Sequence, residues 1–318
     1  MSAVPVAGGP GTGGPGEGAS VGATPASTAR ARDAVRRAAV LLGRAGVPTP
    51  RVDAELLLAH VLGVNRGRVQ VLTLLDAEVA PGDLAAFRRL VERRAAREPL
   101  QHLTGTAGFR GLELAVGPGV FVPRPETEVL AQLGVDALRR VDRGDHRPVA
   151  VDLGTGSGAV AFALAAEVPD ALVVGVENGP RAYVWARENA ARLALPNVRV
   201  VFADLAAALP QAQGCVDVVV SNPPYIPAGA VPRDPEVRLH DPQAALYGGE
   251  DGLDPMRAVV ATAERLLRTG GVLAAEHGES QGAEVRALLD RVRWADAATH
   301  PDLTGRDRCT TAVRRPAA

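Results

Sequence analysis

The sequence predicts an α/β fold in which a sheet of parallel strands follows a smaller helical domain. After about residue 123, short apolar runs alternate with helical stretches, which is typical of a parallel sheet covered by helices on both faces. Between residues 29 and 102 the apolar residues recur at helical spacing instead. The length of 318 residues also suits two folded domains better than one.

The first part of the chain divides into a tail and a helical domain. Residues 1–28 are mostly Gly, Pro, Ala, Ser and Thr, and such a stretch buries too little apolar surface to offset its ordering entropy. We therefore expect a disordered tail. Residues 29–102 carry three apolar stripes at helical spacing, the second ending at Gly63 and the third before Pro99. Asp83 is the expected N-cap of the third helix.

A hairpin and the sheet domain follow. Residues 103–122 mix apolar residues with several glycines, which predicts a β-hairpin that joins the two domains. The sheet domain is expected to span residues 123–318, with a further strand at its edge over residues 310–314. The other expected strands are 149–153, 173–176, 198–202, 216–220 and 272–276, and the expected helices include 159–167 and 181–193.

Composition excludes several classes of function. A net charge of −1 disfavours a protein that binds mainly nucleic-acid phosphates, so we expect no direct sequence-specific binding of nucleic acid. The absence of lysine excludes Schiff-base chemistry and a Walker-A phosphate loop. Two cysteines and the lack of a long apolar run predict a cytoplasmic protein without membrane attachment. We also expect a monomer, although no sequence feature determines the oligomeric state. His102, His240 and His277 have no partners at metal-ligand spacing, so no metal site is expected.

A glycine-rich loop follows the first predicted strand, in the run Asp-Leu-Gly-Thr-Gly-Ser-Gly-Ala at 152–159. Glycines allow a tight turn and close approach to a ligand at the start of the next helix. The carboxyl ends of the strands form the ligand-binding edge of an open α/β sheet. Gly154, Gly156 and Ala159 also satisfy the dinucleotide pattern, so the loop alone fits NAD as well as S-adenosylmethionine.

Two acidic residues belong with this loop. Glu177, at the end of the second predicted strand, is expected to bind a ribose diol, which NAD and S-adenosylmethionine share. Asp152 precedes the first glycine by two positions, where its carboxylate can meet the methionine ammonium or order the loop. A pyrophosphate would be repelled by this carboxylate, so Asp152 favours S-adenosylmethionine.

The run Asn-Pro-Pro-Tyr at 222–225 follows the fourth predicted strand. Its two prolines stiffen the chain. The Asn222 side-chain oxygen and the Pro223 carbonyl can each accept one hydrogen from a planar –NH2 group and direct its nitrogen at a sulfonium methyl. Tyr225 supplies an aromatic face. The run suits any planar nitrogen, including adenine N6, so it predicts methyl transfer and leaves the substrate open.

On these residues the sequence resembles the HemK/PrmC family, the protein-(glutamine-N5) methyltransferases that act on peptide-chain release factors. The resemblance covers nearly everything after residue 28. The stretch at 121–128, Phe-Val-Pro-Arg-Pro-Glu-Thr-Glu, and the hairpin before it separate this family from the N6-adenine enzymes. The other shared motifs lie at 98–105, 245–252, 276–282 and 302–308.

The resemblance implies a Rossmann-like seven-stranded class I methyltransferase domain and an N-terminal helical domain that recognises the substrate. It implies S-adenosylmethionine as cofactor and, as substrate, the glutamine of the Gly-Gly-Gln loop in class I release factors. The residues it assigns to the cofactor are Asp152, Gly154, Thr155, Gly156, Ser157, Gly158, Glu177, Asp204, Leu205 and Asn222. Those assigned to the substrate are Asn222, Pro223, Pro224, Tyr225 and Arg124, with Asn222, Pro223 and Tyr225 catalytic.

Two positions depart from the family pattern, and some other functions stay open. Glu177 stands where the family usually has Asp, and Leu205 where some members have an aromatic residue.

Other questions stay open. Arg124 either belongs to a loop that closes over the site or forms a structural ion pair. The alternatives are a glutamine methyltransferase of a ribosomal protein, an N6-adenine methyltransferase, a nicotinamide oxidoreductase and a non-catalytic adaptor.

Overall fold

The computed structural model describes residues 29–142, 144 and 146–316; the predicted tail of residues 1–28 lies outside the described residues. The helical domain begins with a two-residue strand that pairs with a second one in antiparallel fashion. These strands are β1 (Ala29–Arg30) and β2 (Glu78–Val79). The helices are α1 (Ala31–Arg44), α2 (Pro50–Leu62), α3 (Arg66–Leu74), α4 (Pro81–Ala95) and α5 (Leu100–Thr104).

Helices α1, α2 and α4 correspond to the three predicted stripes, which are confirmed. Helix α2 ends at Gly63, which adopts the left-handed conformation with φ of 63°. The expected N-cap of α4 is wrong, because the helix begins at Pro81 and Asp83 lies in its first turn. The fixed φ of proline favours the first helical position, so Pro81 sets the start. Leu84 and Phe87 are buried in the core of this domain, as their spacing predicted.

The predicted hairpin is present and shorter than the segment assigned to it. It consists of β3 (Thr106–Phe109) and β4 (Leu112–Ala115), which pair antiparallel. The chain after β4 packs its valines Val116, Val120 and Val122 against Trp185 of the sheet domain. This contact fixes the path of the chain as it enters the second domain.

A seven-stranded sheet forms the centre of the second domain, and it confirms the predicted α/β class. Its strands are β5 (Val149–Leu153), β6 (Leu172–Glu177), β7 (Val198–Phe202), β8 (Val216–Ser221), β9 (Leu267–Glu276), β10 (Trp294–Pro301) and β11 (Asp307–Arg314). The helices are α6 (Glu128–Arg140), α7 (Ala159–Glu167), α8 (Pro180–Leu193), α9 (Pro235–His240), α10 (Asp254–Leu266) and α11 (Gly282–Leu288). Apolar clusters lie on both faces of the sheet.

The strand order is β10-β11-β9-β8-β5-β6-β7. Strands β9, β8, β5, β6 and β7 run parallel to one another, and β11 is antiparallel to both β9 and β10. The prediction that residues 310–314 lie at the sheet edge is wrong, because these residues pair on both sides and β10 is the edge strand. Thr310 and Ala312 are buried accordingly.

The connections of β5 and β8 create a binding edge. From β5 the chain continues to β6 and β7 on one side, whereas β8 and β9 lie on the other. Ligands of open α/β sheets bind outside the carboxyl ends of the strands at such a reversal. Leu153 and Ser221, the last residues of the two strands, are partners in register. The Ser221 hydroxyl also donates to the Leu153 carbonyl at 2.7 Å, so the two following loops begin side by side.

Within the part of the chain that the structure describes, every helix is too short or too polar to cross a bilayer.

Candidate active site

A cavity of about 790 Å³ opens at the carboxyl ends of β5, β6, β8 and β9. Most of the residues predicted from the sequence line it together. From the glycine loop and the cofactor side these are Asp152, Gly154, Thr155, Gly156, Ser157, Glu177, Asp204 and Leu205, and from the reaction side Asn222, Pro223, Pro224, Tyr225 and Arg124. Gly158 is the predicted residue outside this wall.

The glycine loop is shaped by its neighbours in β6. The amides of Gly154 and Thr155 both donate to the Val176 carbonyl at 2.9 Å. Gly154 and Gly156 have φ of 75° and 60°, and a Cβ at either position would meet no atom within 4 Å. Both residues face the cavity, so their missing side chains leave space for a ligand against the backbone. Gly158 packs against Phe162 instead and begins α7.

Asp152 orders the loop, which is one of the two roles expected for it. Its Oδ2 accepts a hydrogen bond from the Thr155 hydroxyl at 2.6 Å and another from the Ala161 amide at 3.2 Å. The side chain is buried, and burial raises the pKa of Asp152 to about 7, with the charge of Glu177 adding to the shift. The carboxyl therefore joins the loop to the first turn of α7.

Glu177 braces the same loop from the end of β6. Its Oε2 accepts from the Gly156 amide and its Oε1 from the Gly179 amide, each at 2.7 Å. A carboxylate offers about four acceptor positions, so one position on each oxygen stays available to a ligand. Asp204 lies beside it, where its carboxylate accepts from Asn178 at 3.1 Å. These acidic groups fit the hydroxyls of a ribose, and with the open glycine backbone they fit S-adenosylmethionine.

The Asn-Pro-Pro-Tyr corner follows β8 directly. The Asn222 Nδ2 atom donates to the Thr127 hydroxyl at 3.3 Å. Pro223 is buried, and the Tyr225 carbonyl accepts from Gln281 Nε2 at 3.1 Å, which holds the far end of the corner. Burial raises the pKa of Tyr225 to about 12, so the phenol is neutral at physiological pH. Tyr225 can offer its ring and a hydrogen bond to a substrate, but no basic group.

Three further residues at this corner were not predicted. Thr127, Glu276 and Arg308 line the cavity beside Asn222 and Tyr225. Glu276 is the last residue of β9, the strand next to β8. A sequence signal existed for this residue, because an acidic side chain closing a buried strand belongs at the binding edge. Thr127 and Arg308 come from distant parts of the chain and reach this corner only through the fold.

A long loop between β8 and α10 forms the outer wall. Arg124 pairs with Asp241 in this loop at 3.0 Å, and its guanidinium lies 5.3 Å from the centre of the Phe121 ring. Arg124 thus makes a structural ion pair and also lines the cavity. Burial raises the pKa of Asp241 to about 6. Leu246 of this loop lines the cavity, whereas its neighbour Tyr247 does not.

The helical domain holds this loop through buried charges. Arg94 in α4 pairs with Asp53 of α2 and with Glu236 of α9, each at 2.7 Å. Arg97 also pairs with Glu236. Arg94, Asp53 and Glu236 are all buried. The N-terminal domain therefore fixes one side of the cavity entrance.

Comparisons with known proteins agree with this architecture. Residues 33–105 match the PrmC N-terminal domain, and residues 146–300 match a methyltransferase domain. The chain is 50% identical over 288 residues to the release factor glutamine methyltransferase of Mycolicibacterium smegmatis, covering 90% of this chain and 98% of that protein. It is 50% identical over 280 residues to that of Streptomyces coelicolor, covering 87% and 96%. The counterpart from Deinococcus radiodurans is 45% identical over 284 residues, covering 89% and 98%.

Sheet, glycine loop and cavity define a Rossmann-like class I methyltransferase that uses S-adenosylmethionine. The similarity to the relatives extends over both domains and almost their full length. The chain belongs to the release factor glutamine methyltransferase family.

Proposed function

We propose that this enzyme transfers a methyl group from S-adenosylmethionine to the side-chain amide nitrogen of the glutamine in the Gly-Gly-Gln loop of class I release factors. The observation that carries the proposal is that the two loops lie side by side at one cavity. The glycine loop and the Asn-Pro-Pro-Tyr corner follow partner residues in adjacent strands and line a single cavity. A donor and a planar amide held by these loops would be neighbours.

The main chemical obstacle is the weak nucleophilicity of an amide nitrogen, whose lone pair is shared with its carbonyl. The Asn222 Oδ1 atom and the Pro223 carbonyl would each accept one –NH2 hydrogen and orient the nitrogen. Bound S-adenosylmethionine supplies an electrophilic methyl group on a positively charged sulfur. Transfer would form a nitrogen–carbon bond as the sulfur–carbon bond breaks, and the nitrogen would then lose one proton to water.

Asn222 has a defined orientation that suits this task. Its Nδ2 atom donates to Thr127, and no described residue donates to Oδ1, which leaves that oxygen as the acceptor for a substrate. The prolines limit the motion of the corner because each fixes its own φ. Catalysis would come mainly from alignment, and the neutral phenol of Tyr225 would provide an apolar face for the amide plane.

The direct test uses radiolabelled S-adenosylmethionine and two versions of a class I release factor. One has the native Gly-Gly-Gln loop, and the other has that glutamine replaced by alanine. The proposal predicts label in the native factor alone, with none after Asn222→Ala in the enzyme. Equal labelling of both factors would overturn the assigned glutamine. Label in a ribosomal protein or in adenine, with none in the factor, would instead support the corresponding alternative activity.

A further inference from the structure

The carboxyl group of Glu276 is buried beside the reaction corner, and its place at the end of β9 does not by itself explain why an acidic residue stands there. It is buried at the end of β9 and lines the cavity next to Asn222. Its Oε2 atom is shielded from solvent and has no hydrogen-bond partner within the described residues. A buried carboxyl with an unsatisfied oxygen is costly, so its retention at a reaction site calls for a functional explanation.

We propose that Glu276 is a positioning residue which, directly and through Thr127, determines which end of the Asn222 side-chain amide faces the substrate. This inference rests on the proposed function, because it concerns the amide that would hold the substrate glutamine. Asn222 presents an acceptor at Oδ1 and two donors at Nδ2. A substrate –NH2 group needs the acceptor, and the flipped amide would confront it with a second donor.

The charge of Glu276 determines which atoms donate and which accept in the hydrogen bonds among Glu276, Thr127 and Asn222. An ionised carboxylate can only accept hydrogen bonds. The hydroxyl of Thr127 and the side chain of Asn222 both hydrogen-bond to Glu276. Because Thr127 uses its single hydroxyl proton toward Glu276, it can only accept from Asn222. Nδ2 of Asn222 does donate to Thr127 Oγ1, at 3.3 Å. Oδ1 is left for the substrate. A protonated Glu276 could donate, which would reverse the hydroxyl of Thr127 and remove the preference.

The electrostatics around Glu276 make this arrangement sensitive to pH. Burial raises the pKa of Glu276 to about 7, against the hydrogen bonds of Thr127 and Asn222 and the charge of Arg308. The other groups that face it are Glu126 near the start of α6, the phenol of Tyr225 and the thiol of Cys309, its partner in register. Because Glu276 must be ionised to orient Thr127, turnover should rise as pH increases through about 7.

The kinetic test compares wild type with Glu276→Gln, Thr127→Val and Thr127→Ser, at saturating S-adenosylmethionine and release factor. Glu276→Gln and Thr127→Val should each lower kcat by about 10- to 100-fold, because each releases the orientation of Asn222 and so weakens its one hydrogen bond to the reacting amide. Thr127→Ser keeps the hydroxyl and should stay within about 3-fold. Affinity for S-adenosylmethionine, measured by calorimetry, should change little in all three variants.

The pH profile separates positioning from a merely structural role. Wild-type kcat should fall below about pH 7, and Glu276→Gln should lose this limb. Asp152 titrates in the same range but is present in both proteins, so the comparison isolates Glu276. The proposal is overturned if Glu276→Gln keeps both the wild-type kcat and the limb, or if Thr127→Ser is as defective as Thr127→Val.

A spectroscopic measurement keeps the inference testable without any substrate. The chain contains five asparagines, so selective ¹⁵N-asparagine labelling gives few side-chain –NH2 signals, and Asn222→Asp identifies one of them. The Asn222 –NH2 signal should titrate near pH 7 in wild type and become independent of pH in Glu276→Gln. A signal that titrates identically in both proteins would refute the relay, whereas an unlabelled release factor would refute the proposed function alone.

Discussion

The hydrogen bonds that Glu177 accepts from the glycine loop provide a quantitative prediction for cofactor binding. Each oxygen of this carboxylate already accepts one backbone amide at 2.7 Å and has one acceptor position left for a ribose hydroxyl. In Glu177→Gln one oxygen is replaced by an –NH2 group, which can accept neither from its backbone amide nor from a ribose hydroxyl. One hydrogen bond to a charged group, worth about 1.5–3 kcal/mol, is therefore lost from the bound ribose.

This loss corresponds to a Kd for S-adenosylmethionine that is about 10- to 100-fold higher. Isothermal calorimetry at fixed pH and salt measures it directly. Glu188→Gln is the matched control, because Glu188 is exposed on α8, the helix after Glu177, and lies outside the cavity wall. It should bind like wild type. A Glu177→Gln protein with a Kd within about 3-fold of both would overturn the assignment of this carboxylate to the ribose.

Two further predictions concern stability. The folded-state pKa of Glu276 is raised from 4.5 to about 7, so wild type loses up to about 3 kcal/mol of folding stability as pH rises through this range. Glu276→Gln lacks this carboxyl group, so it should melt at a higher temperature than wild type at pH 8. This advantage should disappear below pH 4.5. Equal differences in melting temperature at both pH values would contradict the burial argument. Arg94→Ala leaves Asp53 and Glu236 buried without their partner, and we expect a loss of about 3–5 kcal/mol in chemical denaturation. The exposed Arg93 is the control, with an expected loss below about 1 kcal/mol for Arg93→Ala, and equal losses would refute the role of the buried network.

Local patterns were sufficient to predict most of the fold. The strands β5 and β7 and the helix α7 have the expected bounds, because continuous apolar runs between helical stretches are a local property of the sequence. The position of β11 inside the sheet was not predictable in the same way. Insertion between β9 and β10 depends on pairing between segments far apart in the chain. Strand β10 itself is mostly exposed or half-buried and gave little apolar signal.

The site residues likewise fall into those that local sequence predicted and those that only the fold brings together. The glycine loop and Asn222 were predictable, because each sits in a compact run directly after an apolar strand. Thr127, Glu276 and Arg308 share the corner but are far apart in sequence, so only the folded chain reveals their contact. The sequence left two roles open for Asp152, and the fold shows that it orders the loop. Its hydrogen bonds to Thr155 and Ala161 form only because the chain turns between β5 and α7.

The central claim is that Asn222 holds an amide in line with the methyl donor while taking little part in binding that donor. The most direct measurement is single-turnover methylation of a class I release factor by Asn222→Ala, together with the Kd for S-adenosylmethionine of the same protein. We expect turnover to fall by at least about 100-fold with a Kd within a few-fold of wild type. Normal turnover, or a loss fully explained by weaker donor binding, would contradict the account.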